Sequence, residues 1–318
     1  MKHAKQRGIA LLVAIVMFAI ATTVAAAITY NKAMTARRAA ATFTLEQALQ
    51  AGMAAEALAG IVLENGASAQ RTQTNQDWAQ PVGPLEIEGT GVWIQAQLED
   101  LQGRFNLNSI VSWNTQLNDF AVDQHQLEIF QRLLQDNNID LRYAELLADW
   151  IDPDIAPLSQ GGEDTLYLSQ NPPYRPPNTF ITHTSELLAL PGFGAENFAK
   201  IAPYITALPN DVQVNVCTAS TLVLDATRND PTSRVEFGNQ DLSAQREKDC
   251  DPMLQAYLAG IGDANLKTIV TPRVTDKSSW FRLRTYIRVG TAEFVLYSVL
   301  FRESDNRVRT VQRSFGSE

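Results

Sequence analysis

Asp149, Asp152, Asp154, Glu163 and Asp164 place five carboxylates within sixteen residues, and no lysine or arginine occurs between Tyr143 and Tyr174. Such an excess of like charge repels itself unless a cation neutralises it. Hard oxygen donors on a loop rich in proline and glycine suit calcium, which takes about six to eight oxygens at roughly 2.3 to 2.6 Å. The spacing departs from the EF-hand pattern, so a solvated acidic loop stays open as the plainer reading. A third reading makes Asp152 and Glu163 the acid and base of a hydrolase. Zinc does not fit, because His3, His125 and His183 are the only histidines and none stands at ligand spacing from a cysteine. No phosphate-cradling glycine loop with a lysine, no nucleophile elbow and no histidine beside a plausible serine or cysteine partner is present. The sequence therefore predicts no enzyme.

Two further groups carry chemistry of a quieter kind. Cys217 and Cys250 lie 33 positions apart. An export signal would place both in an oxidising compartment, where they form a disulfide; two buried free thiols are the alternative. The segment from Leu187 to Gly194, followed by Ala195 to Ala207, reads as helix, glycine hairpin, helix, an arrangement that some DNA-binding modules use. Here Glu186 and Glu196 flank the hairpin and Lys200 is its only base, so the sequence predicts a packing unit. The whole chain carries a net charge of −9, which favours no nucleic-acid partner.

These groups must be positioned by three kinds of element. At the N-terminus Lys2, Lys5 and Arg7 precede Gly8, and the twenty residues from Ile9 to Ile28 carry no charge, a length that crosses a bilayer. A secretory signal cleaved after Ala25, Ala26 and Ala27 competes with a retained anchor. Retention is favoured by continuity, since no proline occurs from Ile9 to Gln80 and good helix formers dominate from Thr42 to Glu64. Leu45, Leu49, Met53, Leu58 and Val62 are expected to form the core-facing stripe of that helix, with Glu46, Gln50, Glu56 and Glu64 off it. Pro81, Gly83, Pro84, Gly89 and Gly91 read as a turn-rich link. Period-two alternation then predicts strands over 92–99 and 104–108, and again over 281–289, 294–302 and 308–313. The stretch between these two sets is too long for a loop and reads as an inserted, mostly helical domain.

A short basic leader ending in glycine, an apolar start directly after it and one long half-buried helix resemble the prepilin pattern. The resemblance implies cleavage between Gly8 and Ile9 by a prepilin peptidase, with methylation of the new terminus. Most members carry a glutamate at the fifth mature position, where this chain has Val13. That departure, the large insertion, and the segments Asp149-Trp-Ile-Asp-Pro-Asp154, Gly162-Glu-Asp164 and Pro177-Asn178 resemble the K-type minor pseudopilins of type II secretion. The implied fold class is α+β: a pilin-like long N-terminal helix packed on an antiparallel β-sheet, with a large inserted α-helical domain. The implied division is a leader over 1–8, a transmembrane part over 9–28, helix and first strands over 29–108, the insertion over 109–210, and the rest of the pilin-like domain over 211–318. The resemblance further implies a single-pass protein of the bacterial inner membrane with its bulk in the periplasm. Its calcium would be held by Asp149, Asp152, Asp154, Glu163 and Asp164. Its partners would be the I, J and H minor pseudopilins and the major pseudopilin, and its role assembly at the pseudopilus tip. A minor pilin-like protein of a type IV pilus or a DNA-uptake machine is the alternative.

Overall fold

A computed structural model describes residues 7–66, 70–230, 250 and 253–316. Residues 1–6 of the expected leader lie outside this set. Helix α1, Arg7–Asn65, runs without a break, and its 59 residues extend about 90 Å. Its last third packs on a five-stranded antiparallel sheet of order β1-β2-β9-β10-β11. The strands are β1 (Val82–Ile87), β2 (Val92–Asp100), β9 (Trp280–Val289), β10 (Ala292–Arg302) and β11 (Val308–Phe315). The C-terminal meander expected from alternation is present, with Gly290 in the left-handed region closing the turn between β9 and β10.

Three sequence expectations are corrected here. The buried face of α1 is Ala48, Ala51, Ala55, Ala59 and Leu63, whereas Leu45, Met53, Leu58 and Val62 are exposed. The sheet supplies the bulk, through Leu98, Phe281, Leu283, Ile287, Leu296 and Leu300, so the helix can approach closely only with small residues. Gly52 marks the tightest point, where an added Cβ would stand 2.4 Å from Leu296 Cδ2. The link over 81–91 contains strand β1, whose bulge between Val82 and Leu85 accommodates Pro84 at the sheet edge. The strand expected over 104–108 does not return into the sheet. Asp100 Oδ1 accepts from the Gln102 amide and starts a 3₁₀ turn over Leu101–Gly103, which turns the chain out of the sheet. Strand β3, Phe105–Asn106, then pairs in parallel with β6, Ile205–Thr206.

Glu56, expected off the packed face, is buried on it. Ser298 Oγ donates to Glu56 at 2.6 Å, Thr310 Oγ1 at 3.1 Å, and Arg313 makes a forked pair through Nε and Nη2 at 2.8 and 2.7 Å. Burial works against the charged form of Glu56, but Arg313 and the two hydroxyls outweigh it and hold the carboxyl below its usual value. Arg313→Ala leaves this carboxylate inside with only hydroxyl donors, and a loss of about 2 kcal/mol is expected. That is less than for a fully buried pair, because the Arg313 side chain is 47% exposed. Chemical denaturation at neutral pH checks it, and Glu56→Gln is expected to cost less, since the freed arginine can reach water.

Between β2 and β9 one continuous core extends from Phe105 to Val274. It holds a hairpin of β4 (Val111–Asn114) and β5 (Asp119–Val122), and the helices α2 (Gln124–Asp136), α3 (Arg142–Ile151), α4 (Asp164–Leu168), α5 (Gly194–Ile201), α6 (Thr221–Arg228), α7 (Met253–Ala259) and α8 (Ala264–Val270). Strand β7, Val214–Asn215, pairs in parallel with β8, Val274–Thr275. The helical periodicity around Leu127, Phe130, Leu133, Leu134, Ala144 and Leu147 is fully inward. A polar knot fastens this core to the sheet: Asn215 Nδ2, Thr218 Oγ1 and Ser278 Oγ all donate to Asp100 Oδ2. Cys217 and Cys250 form a disulfide with Cα atoms 5.6 Å apart.

Candidate metal centre

Helix α3 delivers the acidic residues because its amphipathic pattern buries Leu146, Leu147, Trp150 and Ile151 and brings Asp149 inward with them. Asp149 is fully buried, and its oxygens accept from the amides of Leu158 at 3.0 Å and Gly162 at 2.7 Å. It therefore folds the following loop back onto the helix. One turn earlier Glu145 does the same from the surface, accepting from Ser159 Oγ and the Gln160 amide at 3.0 and 2.6 Å. Gly161 is required by this arrangement, since a Cβ there would lie 2.0 Å from Asp149 Oδ2.

The fold-back brings Asp152, at the C-terminal end of α3, against Glu163, which precedes α4. Asp152, Asp154 and Glu163 each offer an oxygen within 4.8 Å of the others. Asp152 is 4% and Glu163 7% exposed, and Asp152 Oδ1 and Glu163 Oε1 are buried without a hydrogen-bond partner. Asn178 adds a third such atom, Oδ1, while its Nδ2 donates to the Asp154 carbonyl at 2.8 Å. Burial first, then repulsion from Asp154, Asp149 and Glu163, pushes Asp152 up to about 7. Burial, then Asp149 and Asp154, pushes Glu163 up to about 7 against the opposing Asn178 amide. Asp149 rises to about 6, again mainly by burial, with its two amide donors opposing.

Of the five expected carboxylates, three converge, Asp149 supports them through the loop, and Asp164 faces away into a 2.6 Å ion pair with Arg175. Glu145 was absent from the sequence expectation, and Asn178 entered it only within the recurrent stretch Pro177-Asn178, not as an oxygen donor to the cluster. Glu145 lies four residues before Asp149 on the same face of α3, a spacing that could have flagged it. A cluster of hard oxygens with orphaned buried acceptors, and with no basic partner to Asp152, Asp154 or Glu163 among the described residues, fits a hard divalent cation. The neighbouring wall is aromatic, with Trp150 in edge contact with Tyr167 and Tyr174, which tilt against each other.

The hairpin after residue 186 differs from two α-helical limbs. Its first limb is a 3₁₀ turn over Thr184–Ala189, and only the second, α5, is α-helical. Leu187, Leu190 and Phe193 are buried, and Lys200 is paired with Glu196 at 2.8 Å. Gly8 and Ile9 lie in the first turns of α1, whose N-terminal part includes a window of mean hydropathy 2.7 with none of its residues buried. By length and composition this helix can cross a membrane once.

A family model described as "Type II secretion system (T2SS), protein K" matches residues 103–210, which include every carboxylate of the cluster. A type II secretion system protein K from Klebsiella pneumoniae is 34% identical over 225 residues, covering 69% of this chain and 68% of that protein. The chain belongs to the type II secretion system protein K family. A family relative from Pectobacterium carotovorum subsp. carotovorum is 29% identical over 329 residues, covering 99% of this chain and 98% of its own length. Another, from Pseudomonas aeruginosa, is 28% identical over 325 residues, with 98% and 93% covered. Among solved structures, a chain of the GspK-GspI-GspJ complex from enterotoxigenic Escherichia coli shares the fold. It has a TM-score of 0.71 at 23% identity over 88% of this chain and 100% of that one. The α+β class expected from the sequence is thus the class of the family. That family consists of structural pseudopilins and is not a known class of enzyme.

Proposed function

We propose that the chain is the tip subunit of a type II secretion pseudopilus, anchored in the inner membrane by α1 until it is assembled, and that it acts by starting filament growth. Its membership of the protein K family carries this reading. Cleavage between Gly8 and Ile9 by a prepilin peptidase, followed by methylation, would leave Val13 at the fifth position, with no carboxylate to be paired by a preceding subunit. A first subunit has no predecessor. The exposed Phe43, Leu45, Met53, Leu58 and Ile61 give α1 an apolar surface that none of the described residues covers, suited to the helices of neighbouring pseudopilins. The I and J types are the first partners to test, with H and the major pseudopilin after them. The chain divides functionally into the leader, the helix with its sheet, and the insertion, whose width suits a terminal place better than one between packed subunits. Asp152, Asp154 and Glu163 would hold calcium with Asn178 Oδ1 as a further oxygen, Asp149 and Glu145 fixing the loop. The ion would supply structural cross-linking between α3 and α4.

Intact mass and N-terminal sequencing of chain extracted from membranes of cells expressing a prepilin peptidase tests the reading. A chain starting at Ile9 that co-purifies with I and J pseudopilins is expected. A chain starting at Ile28 and recovered from the soluble fraction would overturn it.

A further inference from the structure

Past the apolar stretch, α1 continues through Tyr30, Lys32, Arg37 and Arg38 before its first carboxylate, Glu46. Tyr30 is 67% exposed, and the three basic residues are exposed on a bare length of helix. Among the described residues none of these three side chains has an ion pair, in a chain whose net charge is −9. No other element of the described residues packs against this length of helix. The first α1 residue buried against the sheet is Ala48, about 30 Å along the helix from Ile28. Lys32 stands only about 6 Å beyond Ile28, and Arg38 about 15 Å. Lys32 falls within the head-group layer, about 5 to 8 Å thick on each side, and the long side chains of Arg37 and Arg38, just beyond it, can bend back along the helix to reach it.

We propose that Lys32, Arg37 and Arg38 form a collar that binds anionic phospholipid head groups of the leaflet facing the folded part of the chain. The proposal rests on α1 spanning the membrane. Charge complementarity and place select the occupant: three cations with no ion pair among the described residues, at head-group depth or within side-chain reach of it, and Tyr30 at the level where aromatic side chains anchor a span. Orientation is not what the collar contributes. Lys2, Lys5 and Arg7 number the same on the opposite side, so the collar works against the tendency of basic flanks to stay inside. Its effect is to hold the subunit in the bilayer until assembly replaces lipid phosphates with other anions.

The test uses the full chain in nanodiscs of phosphatidylcholine with about one-fifth phosphatidylglycerol, the retained lipids being counted by native mass spectrometry. The ratio of phosphatidylglycerol to phosphatidylcholine on the unaltered chain is expected to exceed that on Lys32→Gln/Arg37→Gln/Arg38→Gln by at least about fivefold, roughly the worth of one basic residue near an anionic surface. The difference should collapse near 1 M salt, where screening acts within about 3 Å. Lys277→Gln, at an exposed lysine between β8 and β9, should change nothing. Equal ratios for both chains, each inserted, would overturn the collar alone. A triple variant with unchanged lipid ratio that instead loses a co-purifying pseudopilin would also overturn it, assigning the cations to a carboxylate-bearing subunit. A chain that never enters the nanodisc would overturn the spanning reading and the collar with it.

Discussion

Cys217→Ala/Cys250→Ala is expected to lower the stability of the folded part by about 3 to 4 kcal/mol, the loop-closure entropy of a cross-link at this separation. The bond closes a 33-residue separation. Both half-cystines are fully enclosed, Cys217 just after β7 and Cys250 just before α7. The Cys250 amide donates to Gln73 Oε1 at 2.8 Å, and the Cys217 amide to Asn215 Oδ1 at 2.8 Å. Asn215 belongs to the polar knot around Asp100, so the cross-link pins α7 to the junction between insertion and sheet. Alanine keeps the site apolar and leaves small cavities, whereas serine would bury two hydroxyls. A fall in melting temperature of roughly 10 °C is expected for a folded part of this size. Reduction of the unaltered chain should reproduce the shift. A double variant that melts within about 2 °C of the parent, below the shift of a single kcal/mol, would show that the denatured chain gains no freedom from losing the link.

The parts of the fold that depend on long, regular patterns were legible in the sequence. An uninterrupted apolar run and strict alternation from Phe281 to Val289 each admit one structure. What was misread depended on contact partners distant in the chain. Hydropathy alone assigned Leu45, Met53 and Leu58 to the core, but the sheet's own leucines, isoleucine and phenylalanine fill that space and select Ala48, Ala51 and Ala55. Glu56 looked like a solvent residue until Arg313 and Ser298, more than two hundred positions away, supplied its partners. Asp100 and Gln102 redirect the chain through hydrogen bonds that no periodicity encodes. The cluster shows the same division. Five carboxylates were visible, but which of them converge is decided by competitors: backbone amides take Asp149 and Arg175 takes Asp164. The disulfide was the easiest site to foresee, since only two cysteines exist.

Calcium at a hundredfold excess over its dissociation constant is expected to stabilise the chain by about 2.7 kcal/mol, or roughly 5 to 10 °C. The effect should depend on pH in a direction that the cluster determines. In metal-free protein Asp152 and Glu163 stand at about 7 and Asp149 at about 6. In the unfolded chain they return to about 4. Between those values the folded state binds more protons than the unfolded one, so stability falls as pH rises from about 4 to about 7. A cation favours the ionised carboxylates and reverses that loss, so the calcium increment should be small near pH 5 and full above about pH 7.5. Melting curves in chelator and in calcium across that range measure both trends. Asp152→Asn removes one charge from the repelling group while keeping its shape. It is expected to raise the metal-free melting temperature above pH 7 and to abolish most of the calcium response. Asp164→Asn should leave the response intact, because that carboxylate faces Arg175. Melting temperatures indifferent to calcium at every pH would exclude the ion, and an unaltered response in Asp152→Asn would move it away from these oxygens.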